Sequence, residues 1–173
     1  MRYIAAAAKM FCKGEDTMNL KHLFLVVPPA LLILGSGVAS AGETINEAGG
    51  IACINDKWDE KEVEKGHKLV DYAGRCVHIP DAPAAPFATD CVGKYEYMPD
   101  QSWKGTGTCT NTYKGGDTTS LTWEEGSHLK EYPFKITGGT GKYQGATGGG
   151  TYVYDNLTDT LSGGTYKETI QLP

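Results

Sequence analysis

Residues 91–109 read CVGKYEYMPDQSWKGTGTC. Folded about Asp100, this stretch sets Tyr97 opposite Trp103, Tyr95 opposite Gly105, Gly93 opposite Gly107 and Cys91 opposite Cys109. Directly opposed residues at a non-hydrogen-bonded position of an antiparallel pair lie ~4.5 Å apart at Cα, a separation a disulfide accepts. Glycine weakens a strand unless the chain bends or a bulky neighbour covers it, as Tyr95 would cover Gly105. The stretch therefore predicts a β-hairpin closed by a Cys91–Cys109 bridge.

The same test works outward. Folding about Glu64 and Lys65 opposes Cys53 and Cys76, giving a second bridge. The rival pairing joins Cys76 to Cys91 about Pro83 and leaves Cys53 to reach Cys109; the first connectivity is preferred. Lys114-Gly115-Gly116-Asp117 supplies a tight turn, since paired glycines accept the positive φ values of a type I′ hairpin. Past Gly50, short runs rich in Val, Ile, Thr, Tyr and Trp are broken about every ten residues by Gly, Pro, Asp or Asn, with no sustained 3.6-residue period. Strands are predicted near Ile51–Trp58, Lys68–Ile79, Ala88–Tyr97, Ser102–Tyr113, Thr118–Glu124, Leu129–Thr137, Lys142–Tyr154 and Gly164–Leu172. The charged piece Asp56–Lys68 (DKWDEKEVEKGHK) has a helical alternative through i,i+4 pairs. Asp81–Pro86 (DAPAAP) is a loop, because proline removes a ladder donor and restricts its predecessor. The fold class is all-β: about eight antiparallel strands in a closed or nearly closed meander barrel, with a β-sandwich as the alternative. Closure removes the sheet edges that invite aggregation.

Upstream of this pattern, Leu23–Val38 is an apolar run preceded by Lys21 and followed by Ala39-Ser40-Ala41, the layout of a secretory signal peptide cut before Gly42. The run is shorter than the ~20 residues a bilayer span needs and contains Pro28-Pro29. The expected organisation is an upstream extension over 1–17, a leader over 18–41 and one barrel domain over 42–173, with no membrane span after cleavage. Residues 42–173 carry 12 Lys and Arg against 19 Asp and Glu, so the acidic balance argues against a nucleic-acid partner. Cys12 leaves with the leader, and four cysteines in an exported chain imply two disulfides in the periplasm or outside the cell. Their spacing matches no zinc pattern, so no metal is expected. Neither a Walker, a dinucleotide nor a G-x-S-x-G motif is present, so no cofactor is expected either.

The run Lys135–Tyr154, KITGGTGKYQGATGGGTYVY, resembles the glycine-rich strand pair shared by allene oxide cyclases and plant dirigent proteins. Their hallmark, G-G-x-G-aromatic followed by A-x-G, is met by Gly138, Gly139, Gly141, Tyr143, Ala146 and Gly148. The resemblance implies an eight-stranded antiparallel barrel with an apolar cavity, often assembled as a trimer. It is closest to small exported bacterial proteins of this barrel type that carry no assigned activity. Gln144 and Ala146 stand where dirigent proteins place an arginine after the aromatic, and the cyclases' catalytic groups lie outside the matched segment. No catalytic residue is carried over.

Aromatic side chains form the most suggestive candidate site. Tyr95 and Tyr97 share a strand face, as do Tyr132 and Phe134, and Tyr152 and Tyr154, while Trp103 opposes Tyr97. Pointing inward, they line an apolar pocket with polar tips, the make-up of a small-molecule site. Pointing outward, they stack on sugar rings; the plainest role is to fill a core poor in Leu and Ile. Glu124 or Glu125 with His128 forms an acid/base candidate, although strand alternation admits only one of the two glutamates to a cavity. His67 and His78 are eleven residues apart, on opposite faces of a regular strand, which argues against a shared metal. The loop Asp155–Thr160 (DNLTDT) offers oxygen ligands and a glycosylation sequon but not the EF-hand pattern.

The leading reading is an exported barrel that binds a small apolar or amphipathic molecule without catalysis. A buried cavity carboxylate with a raised pKa would favour an isomerase or cyclase instead, and a filled interior would favour a structural protein of the cell envelope. Export is expected to yield a chain beginning at Gly42 and about 4 Da lighter than its reduced form, checked by intact mass with and without reductant.

Overall fold

Eight antiparallel strands close on themselves in chain order in the computed structural model, which describes residues 42–173. The upstream extension and leader expected over 1–41 lie outside the described residues. The strands are β1 (Thr44–Glu64), β2 (His67–Pro80), β3 (Phe87–Tyr97), β4 (Trp103–Thr112), β5 (Thr118–Gly126), β6 (Tyr132–Gly139), β7 (Thr147–Asn156) and β8 (Leu161–Gln171), with a single 3₁₀ turn at Gly141–Tyr143. Every connection is a hairpin, and β8 returns to pair with β1 from Thr44↔Gln171 to Ile54↔Leu161. The barrel is closed; the sandwich alternative is set aside.

The β3–β4 register matches the expected one at every pair, from Cys91↔Cys109 to Tyr97↔Trp103. Both preferred disulfides are formed, Cys53–Cys76 with Cα atoms 4.0 Å apart and Cys91–Cys109 at 4.1 Å. The β1–β2 turn falls at Lys65-Gly66, slightly beyond the expected point, and irregularities at Asn55/Lys57 and Glu62/Glu64 restore the register at the cysteines.

Asp56–Glu64 is strand rather than helix. Beyond Ile54 this part of β1 has β2 on one side only, so its charged side chains guard an exposed edge against further pairing. The Lys114–Gly116 turn is a three-residue loop, with the Tyr113 N–H bonded to the Asp117 carbonyl, in place of the two-residue type I′ turn. Gly115 and Gly116 still take positive φ, 104° and 94°. Four strands start three or more residues from the expected point: β1 at Thr44, β6 at Tyr132, β7 at Thr147 after the 3₁₀ turn, and β8 at Leu161.

Alternate side chains along each strand turn inward. Val70, Tyr95, Cys109, Leu121 and Trp123 form one buried cluster, while Ile136, Tyr143, Ala146 and Ile170 form a second. The second cluster lies where β8 ends and the 3₁₀ turn crosses, closing one end of the barrel. Glycines set the wall thickness: a Cβ on Gly105 would lie 2.4 Å from the Tyr95 ring, and one on Gly107 2.5 Å from Trp123. Tyr95 therefore covers Gly105, as the sequence suggests.

A methyl group on Gly107 would also stand 2.2 Å from the Val92 carbonyl oxygen, a backbone atom that cannot swing away. Gly107→Ala is expected to destabilise the barrel by about 1–3 kcal/mol, read as a lower urea midpoint; an unchanged midpoint would contradict this packing.

Candidate functional site

Inside the barrel is a cavity of about 760 Å³. Its mouth is marked by exposed lining residues, Trp58 on β1 and Leu157 in the β7–β8 loop. Six of the seven aromatic candidates, Tyr95, Tyr97, Trp103, Phe134, Tyr152 and Tyr154, line it. Tyr132 packs against Trp103, Tyr152 and Tyr154 instead and does not reach the lining. All four disulfide cysteines face the same space.

One polar centre lies towards the end of β5. Glu125 is buried among aromatic rings and accepts hydrogen bonds from three phenols: Tyr152 at 2.6 Å to Oε1, and Tyr154 at 2.8 Å and Tyr95 at 3.0 Å to Oε2. Burial pushes its carboxyl above the usual range while the three hydroxyls pull it back. Burial and the Glu125 charge hold all three phenols in their protonated form, and Tyr72 is pushed up to about 12 by the same two causes. Strand alternation places Glu125 inside and Glu124 outside. His128 is exposed in the turn, and the neighbouring Glu131 binds Thr151 and Lys167, so the candidate acid/base cluster does not assemble.

A second centre occupies the deep end of β8. Glu168 faces Glu47 across the β1–β8 ladder, and Tyr166 precedes it on the same face. The His78 ring meets Tyr166 at 4.5 Å edge-on and stacks on Phe87 at 4.5 Å. Burial, then the facing Glu47, pushes the Glu168 carboxyl up to about 8. Burial alone lowers His78 to about 4, so its imidazole is neutral at physiological pH. Glu168 Oε1, the Tyr166 hydroxyl, His78 Nδ1 and the Trp123 indole N–H have no partner among the protein's own groups, although all four residues line the cavity. Nearby, Thr89 donates to Asn111 at 2.8 Å, and the Asn111 amide donates to Thr119 at 3.1 Å.

Glu168, Tyr166, Trp123, Trp58 and Tyr72 were not singled out by the sequence reading. A signal was present for β8, where Ser162, Gly164, Tyr166, Glu168 and Ile170 alternate onto one face, four of them small or apolar-bodied.

Two solved structures share this architecture. The pterocarpan synthase dirigent protein GePTS1 aligns over 76% of this chain and 91% of its own, with a TM-score of 0.54 and 11% identity. PsPTS1, also a pterocarpan synthase dirigent protein, aligns over 75% and 96% with a TM-score of 0.52 and 11% identity. The barrel is of the dirigent type. At that identity the likeness is one of fold. No family model and no curated protein sequence matches the chain. Two formed disulfides indicate an oxidising compartment, and among the described residues no helix is long and apolar enough to cross a membrane.

The deep centre has a pH signature. Between its ordinary value of 4.5 and about 8, Glu168 ionises in the unfolded chain while the folded protein keeps its proton, so stability falls as pH rises through that window. Glu47 and Glu125, also raised, act in the same direction. His78 acts oppositely but only below its ordinary value of 6.5. Urea unfolding is therefore expected to show lower stability at pH 8 than at pH 6.5, with the decline reduced in Glu168→Gln. An equal decline in the variant would place the proton elsewhere.

Proposed function

We propose that this chain is an exported, disulfide-stabilised barrel that takes a small amphipathic molecule into its interior and binds it without covalent chemistry. The observation that carries this reading is the cavity itself: an aromatic and sulfur-lined space of about 760 Å³, with buried, unpartnered polar atoms of Trp123, Tyr166 and Glu168 within its wall. Buried polar atoms are normally hydrogen-bonded, so several orphans in the wall of one mixed polar and aromatic cavity point to partners that a bound molecule would supply after a small side-chain rotation. The size of the cavity weighs against an envelope protein with a filled interior.

A second reading is favoured by Glu168. A cavity carboxylic acid that keeps its proton near neutral pH is suited to protonating an enclosed substrate. An isomerase or cyclase that controls ring closure by shape would use it so, and both structural neighbours carry "synthase" in their names. Self-association belongs to the same proposal: Ile54, Val77, Ile79 and Val92 are exposed on the outer face of β1–β3, where a second copy would cover them.

Native mass spectrometry of the exported protein tests these points together. The binding reading expects a component that denaturation releases, with a mass that fits the cavity. A native mass made up of protein alone favours the isomerase, which lets its product go. The same spectrum gives the number of chains per particle.

A further inference from the structure

We propose that the molecule selected by this cavity is an amphipathic cation, an amine or quaternary ammonium whose charged head sits against Glu168 at the deep end of the barrel; this rests on the binding reading above. The first support is the charge of the wall. Glu125, Asp159 and Glu168 line the cavity, and among its lining residues there is neither Lys nor Arg. An anionic ligand would bring a further negative charge into a space that already holds carboxyl groups, with no Lys or Arg in the lining to pair it. A cation meets a counter-charge there and the faces of aromatic rings, the surroundings that suit an ammonium group.

The second support separates the two centres. Both Glu125 oxygens already accept phenol hydrogens, so that carboxyl is satisfied by the protein itself. Glu168 is 6% exposed, and its Oε1 and the hydroxyl of Tyr166, 4% exposed, have no protein partner. The groups facing Glu168 are Glu47 from β1, His78 from β2, Tyr113 after β4 and Tyr166 on its own strand. None supplies a positive charge near neutral pH, since His78 is neutral and Lys142 acts on Glu47 from outside. As the ammonium docks, Glu168 releases its proton to the buffer and becomes the counter-ion. No covalent bond changes.

The test compares phenethyltrimethylammonium with its uncharged carbon isostere, (3,3-dimethylbutyl)benzene, by tryptophan fluorescence titration of the oxidised, exported protein. The quaternary probe does not titrate, so any pH dependence belongs to the protein. At pH 8 the ammonium is expected to bind about tenfold tighter than the isostere or more. Its affinity should drop by about tenfold or more at pH 6, where Glu168 keeps its proton, while the isostere's changes little. Glu168→Gln should remove the advantage and leave isostere binding in place. If the isostere binds as tightly as the ammonium, the cation proposal fails and the binding reading stands; if neither binds, both fail. An advantage retained in Glu168→Gln overturns the assignment to Glu168, and should that variant not fold, the wild-type pair at two pH values decides alone.

Discussion

The pairing of Thr44–Ile54 with Leu161–Gln171 is the constraint on which the rest depends. Without it the eight strands would form an open sheet with two free edges and one apolar face that needs a covering layer. With it, every inward side chain faces another inward side chain across a lumen, and the sheet becomes its own covering layer. The stretch of β1 left outside the closure, Lys57–Glu64, is the part dense in charge.

Closure alone gives a packed core in many small barrels; here the glycines keep the centre open. Gly93, Gly105 and Gly107 lie beneath the rings of Tyr95 and Trp123, so these large side chains lie along the wall rather than across the lumen. The space that remains has unequal ends. At one, three phenols hold Glu125 in a closed hydrogen-bonded set. At the other, Glu168 and Tyr166 keep bonding capacity that the protein does not use. A rigid, satisfied acid and a buried, unsatisfied one in the same cavity differ in what they offer to a guest, although both are glutamates on strands.

Much of this was legible from residue spacing. The Cys91–Cys109 hairpin could be preferred over the rival Cys76–Cys91 pairing because cysteines, glycines and aromatics match symmetrically about one turn. The β1–β2 turn was harder, because the bulges at Asn55/Lys57 and Glu62/Glu64 each put an extra residue into β1 and together carry the turn past the point that the cysteine spacing marks. Asp56–Lys68 kept a helical alternative because alternating charges satisfy i,i+4 pairing as readily as they protect a strand edge; Trp58, tilted against Tyr95 at 5.1 Å, lies on the strand. The aromatic lining was legible by alternation, except that Tyr132 packs beside Trp103, Tyr152 and Tyr154 without reaching it. Glu125 could not be told from Glu124 without the phase of β5. Glu168 escaped notice because a glutamate beside Lys167 reads as surface, and only closure against Glu47 puts it inside.

The two crosslinks are local, joining residues 23 and 18 apart, and each fastens neighbouring strands of the β1–β4 half. Neither crosses the β1–β8 seam or is anchored on a strand of β5–β8. Half of the circumference is thus riveted, and the other half, which contains the glycine run Gly148–Gly150, is held by hydrogen bonds and packing alone. Local opening follows the lower-stability segments of a fold. The barrel is thus a vessel with one crosslinked wall and one without crosslinks, and the cost of parting two strands is lowest on the second.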